Sequence, residues 1–300
     1  MIDLIKQILR LIDIKALWLA MYLFKATLAL FMALPFYMTY NAILSTSQFS
    51  GSLARFWDMS VIIDMLFARE DALPALIMIV IVGALIYMIL MQFANGGIYY
   101  LFVSGKLKKI NWRDFFSECG RNFELNIKIT VMMILVYIVL FIAAMFVVNI
   151  IGLAGAGLIG RAAGALTVFK LIILAMVMLS ASIFSDSARS AVAAYPDKSF
   201  REILKIAADY FRPRVLRLTA VFVVTYIPFL IIWILLQWAA NHIVGFGIGF
   251  FGLAVEFLLF QLISAARTGQ KLWYLIAFGR YFRSIYSGRF TPEQVELDFG

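Results

Sequence analysis

The chain alternates long apolar runs with short segments in which polar and apolar residues recur at helical spacing. The amphipathic segment appears twice, 88 positions apart: NWRDFFSECGRNF at 111–123 and SFREILKIAADYF at 199–211. Superposed, Asn111 falls on Ser199, Trp112 on Phe200, Arg113 on Arg201, Asp114 on Glu202 and Phe123 on Phe211. In the first copy Trp112, Phe115, Phe116, Cys119 and Phe123 follow the i, i+3, i+4, i+7 rule, opposite Arg113, Asp114, Ser117, Glu118 and Arg121. In the second, Phe200, Ile203, Leu204, Ala207 and Phe211 oppose Arg201, Glu202, Lys205, Asp209 and Arg212. Ser199 with Glu202 spells a capping box and Asn111 with Asp114 a looser N-cap. The pattern predicts two short helices lying on a membrane surface as elbows between spanning hairpins. Two unrelated surface helices would satisfy the same spacing; shared caps, length and flanks favour a repeat.

The apolar runs predict six spans, at about 17–40, 72–95, 127–151, 165–184, 215–238 and 245–266, each long enough for a hydrocarbon layer of about 30 Å. Residues 1–15 form a further amphipathic stretch, expected to lie in the interface and not to be cleaved as a leader, because acids interrupt its basic start. A weaker third elbow is expected at 272–286, before a polar tail at 287–300. The expected fold is all-α: one polytopic membrane domain over 1–286, six transmembrane helices in three parallel hairpin repeats. Parallel repeats differ from the inverted repeats common in alternating-access transporters.

Composition supports a lipid solvent. The chain is 64% hydrophobic and 14% charged, with a mean hydropathy of +0.95, more apolar surface than a soluble core of 300 residues absorbs. The net charge of +9 is explained by topology and not by nucleic acid. The N-terminus, the C-terminus and the regions 104–128 and 186–217 hold 21 of the 26 Lys and Arg, whereas the alternate connections hold only Arg55, Arg69 and Arg161. The positive-inside rule then puts both termini and every elbow in the cytoplasm of a multi-pass protein of the cytoplasmic membrane. Lys106, Lys108, Lys109, Arg113, Arg201, Lys205, Arg212 and Arg214 are the expected contacts for anionic lipid headgroups.

A glycine pair closing a span (Gly96-Gly97), a basic elbow, and a span ending in Asp186, Ala188 and Arg189 resemble a broad group of uncharacterised bacterial six-span proteins. The layout is similar to the membrane domain fused to some glycerophosphodiester phosphodiesterases. The resemblance covers 96–123 and 184–211, includes no phosphodiesterase catalytic portion, and implies a helical membrane fold with no assigned activity.

Candidate chemistry is sparse. Lone Cys119 excludes an intramolecular disulfide or a cysteine metal cluster, and lone His242 a two-histidine site. No cofactor, metal or catalytic set is expected. Glu256 is the sharpest residue, because a carboxylate in hydrocarbon must be neutral, paired or facing water. Lys25 is its candidate partner. It lies roughly 15 Å of helix rise from Lys15, and Glu256 roughly 16 Å from Arg267. Alternatively Lys25 snorkels and Glu256 is protonated or lines a cavity, with Gln261 nearby. Asp186 and Arg189, i and i+3 on the fourth span, are a candidate pair at the membrane edge.

Three function classes follow. The first is a structural or accessory membrane protein that binds lipid and protein partners. The second is a transporter or channel for a small amphiphile with Glu256 in its path. The third is a lipid-modifying enzyme, favoured if Asp186, Arg189 and Glu118 converged on a cytosolic cleft.

Overall fold

A computed structural model describes residues 14–44, 72–107, 110–154, 161–244 and 250–286. Every regular element among them is helical. Six helices are long: α1 (Lys15–Leu44), α2 (Ala72–Ser104), α4 (Phe123–Ala154), α5 (Arg161–Ala194), α7 (Val215–Val244) and α8 (Phe250–Tyr286). Two α-helices are short, α3 (Trp112–Arg121) before α4 and α6 (Phe200–Phe211), which a single 3-10 turn, Arg212–Arg214, joins to α7. Among the described residues five helical stretches are long and apolar enough to cross a membrane: Lys15–Pro35, Ile77–Ser104, Phe123–Gly152, Ala162–Ala194 and Phe200–Ala239.

The short helices begin where their caps predict. Asn111 accepts the amide of Arg113 at 3.1 Å. Ser199 completes a capping box with Glu202, whose carboxylate accepts the Ser199 amide at 3.0 Å. At the other end of α2, Gly105 stops the helix in the left-handed region, φ +76°, its amide bonded to the Leu101 carbonyl. A side chain there would also strike the Arg283 guanidinium.

The expected third elbow is not a separate element. Residues 272–286 continue, without a break, the helix that begins at Phe250. Nothing between Ala266 and Leu272 stops a helix: there is no proline, Thr268 returns its hydroxyl to the Ser264 carbonyl, and one interior glycine, Gly269, costs only about 1 kcal/mol. Gly269 instead admits the Trp18 indole, whose Nε1 donates to the Ala265 carbonyl at 2.9 Å.

The chain divides into two compact units, Leu19–Met91 and the residues flanking it, through Trp18 and from Gln92. In the first unit Lys25, Ala29, Ala33, Ile79, Val80, Ala84 and Tyr87 line an apolar groove of about 500 Å³. In the second, α4 packs on α5, α5 on α6, and α7 on α8. Its outer surface is apolar: Leu135, Val139, Ile142 and Phe146 form an exposed stripe along α4. Its interior at the elbow end holds polar residues instead, including Asn122, Asn126, Ser187 and Asp186, all buried. Apolar outside and polar inside suits a helix bundle solvated by lipid and not by water.

Candidate functional site

The site is built on the last turns of α5, where FSDSARSAV is almost wholly buried. Small residues make this possible, since Ala188 and Ala191 let neighbouring helices approach. Ser187 satisfies its own hydroxyl by donating to the Ile183 carbonyl at 2.8 Å. Asp186 is therefore carried into the interior, 2% exposed.

Its carboxylate is engaged on both oxygens. The Tyr99 hydroxyl from α2 donates to Oδ1. The Lys271 ammonium from α8 donates to Oδ2 at 2.8 Å and lies 5.0 Å from the centre of the Tyr274 ring. Arg189 is the third partner, its Nη1 3.9 Å from Oδ1. Arg189 also reaches α4, where Nη2 donates to the Thr130 hydroxyl at 3.3 Å. Thr130 in turn donates its hydroxyl to the Asn126 backbone carbonyl at 2.8 Å. One carboxylate thus links α2, α4, α5 and α8.

The expected Asp186–Arg189 pair is present as the longest of these contacts, and its carboxylate is buried between helices. Burying an ion pair costs several kcal/mol of desolvation and is tolerated where remaining donors and acceptors are met. Here each carboxylate oxygen accepts a hydrogen bond, from Tyr99 on Oδ1 and Lys271 on Oδ2. Tyr99, Lys271, Thr130 and Tyr274 were not singled out from the sequence. No local signal marks Tyr99 or Lys271, because they lie 87 positions before and 85 positions after Asp186.

Glu118 does not join Asp186 in a cleft. It sits on α3, 3.7 Å from Arg121, and accepts the Asn122 amide at 3.2 Å. The α3 helix presses on α2 at the glycine pair. A Cβ on Gly96 would stand 2.9 Å from the Glu118 carbonyl oxygen and 3.0 Å from that of Cys119. One on Gly97 would meet the Phe115 ring at 2.6 Å and Cys119 Sγ at 2.7 Å. Phe115 and Cys119 are buried in this contact, whereas Trp112 and Phe116 are exposed. Burial pushes the Cys119 thiol up from 9.0 to about 11.

Of the expected headgroup contacts, Arg113, Arg201, Lys205 and Arg212 are exposed. Lys106 donates to the Tyr100 hydroxyl at 3.1 Å, which holds its ammonium above the ordinary lysine value. Arg214 folds back on α6, donating to the Tyr210 carbonyl at 3.1 Å over the Tyr210 ring. Lys108 and Lys109 lie outside the described residues, as do the side chains of Glu256 and His242. Lys25 is half-buried and lines the apolar groove of its own unit.

The described residues thus define an all-helical protein with five long apolar helices, consistent with a multi-pass helical membrane protein. Comparison with protein-family models, curated proteins and solved structures gave no match.

Proposed function

We propose that this chain is a structural or accessory subunit of the cytoplasmic membrane, one that holds anionic lipids and a membrane-protein partner on its cytosolic side. The observation that carries the reading is the Asp186 network. Its charges are spent on one another and tie helices together, with the carboxylate itself buried.

The proposed topology has six spans in three hairpins, with both termini and the elbows cytosolic. Matched burial supports the repeat: Phe115 and Ile203, like Cys119 and Ala207, are buried pairs 88 positions apart. The exposed Trp112 and Phe116 suit an interfacial helix, with Arg113 beside them for phosphate groups. Basic residues there attract anionic lipid at about 1 kcal/mol each.

The test is lipid retention. Native mass spectrometry of the purified chain, titrated with phosphatidylglycerol and with phosphatidylcholine, should show preferential retention of the anionic lipid. Neutralising Arg113, Arg201, Lys205 and Arg212 together should abolish the preference. Equal retention of both lipids by the unaltered protein would sink the reading.

A further inference from the structure

A line of polar side chains runs from Asn122, at the junction of α3 and α4, along α4 to the Asp186 network. Asn122, Asn126 and Thr130 are spaced i, i+4, i+8, so they share one helix face over about 12 Å. All three are buried, Asn122 at 0% and Asn126 at 1% exposure. At the outer end Asn122 donates to the carboxylate of Glu118, which is partly exposed. At the inner end Thr130 accepts from Arg189, which faces Asp186. Between these ends the Oδ1 atoms of Asn122 and Asn126 and the Nε of Arg189 are buried with no hydrogen-bond partner among the described residues.

Three such groups on one short path are too many to leave bare. A buried polar atom without a partner costs about 1–3 kcal/mol, and more for a charged group. The two amide oxygens accept and the guanidinium nitrogen donates, so one ligand must do both. A phosphodiester or an ionised carboxylate only accepts, and would face two oxygens. A metal cation would face an arginine. Water does both, and internal water is the usual partner of such groups.

We propose that Asn122, Asn126 and Arg189 bind a file of internal water molecules joining Glu118 at the elbow to the Asp186 network. The four-helix junction is then a wet polar core continuous with the aqueous face, not a dry lock. The file gives the Asp186 network a route to bulk water past α3.

Cysteine accessibility tests this in lipid nanodiscs. In a Cys119→Ala background, Asn126→Cys is treated with a small membrane-impermeant methanethiosulfonate. Met133→Cys, on the same face and 2% exposed in the parent residue, is the dry control. Only the thiolate reacts, so a hydrated position should be modified at least about tenfold faster, the factor that one unit of thiol pKa represents. Equal rates would overturn the proposal. The unaltered protein supplies an independent reading should the variants not fold. A density map sharp enough to show waters on surface carbonyls should show ordered peaks within hydrogen-bond distance of Asn126 Oδ1 and Arg189 Nε. Their absence in such a map would equally overturn it.

Discussion

The Lys271 ammonium lies 2.8 Å from Asp186 Oδ2, with the carboxylate buried and the lysine side chain 40% exposed. The two partners therefore stand to lose different amounts. Asp186→Ala strands Arg189 and Lys271 without their counter-charge and should cost about 3–5 kcal/mol. Lys271→Met leaves Tyr99 and Arg189 on the carboxylate, and the lysine's exposure weakens its share, so the loss should stay near 1–2 kcal/mol. Thermal unfolding in detergent should rank the variants in that order. The double variant should lose less than the sum of the two single losses, since the lysine is no longer stranded.

The glycine pair separates two kinds of crowding. A Cβ on Gly96 meets the backbone of Glu118 and Cys119, which cannot rotate away, whereas one on Gly97 meets the Phe115 ring and Cys119 Sγ. Each alanine should cost about 1–3 kcal/mol by overpacking. Adding Cys119→Ala should relieve Gly97→Ala in part and leave Gly96→Ala unchanged, as measured by the same thermal assay.

Cys119 should resist alkylation. With its thiol raised to about 11, the reactive thiolate at pH 8 is about one part in a thousand. Maleimide labelling of the native protein should be slow and should become rapid in Phe115→Ser, which opens the contact. The folded thiol has the higher value, so its stabilising contribution is complete below pH 9.0 and is lost as pH rises towards 11. The parent should lose up to about 2–3 kcal/mol over that window relative to Cys119→Ala.

Ser199→Ala removes the oxygen that receives the Glu202 amide and one half of the capping box. The loss should be about 0.5–2 kcal/mol and local. Hydrogen exchange should quicken at the amides of Glu202 and Ile203 while those of α5 keep their protection.

Helix content was legible in the chain because apolar runs of this length have one way to satisfy their backbone in lipid, by bonding within the segment. The starts of α3 and α6 were legible for a local reason too, since Asn111 and Ser199 cap through bonds spanning two or three residues. Local patterning did not reveal that 250–286 is one helix. The aromatic, Arg-containing stretch after Ala266 reads as a new element, yet no stop signal separates it from the preceding turns.

Tertiary structure alone decided what surrounds Asp186. A span-end aspartate followed three residues later by arginine reads as a local pair, because i, i+3 neighbours are the ones a single helix brings together. Tyr99 and Lys271 lie more than 80 positions away in sequence. Only the convergence of α2, α5 and α8 makes them the shorter contacts and leaves Arg189 free to reach Thr130. Local bonding energies fix which residues are helical, whereas the partner of a buried charge depends on which helix ends meet, and no local pattern carries that information.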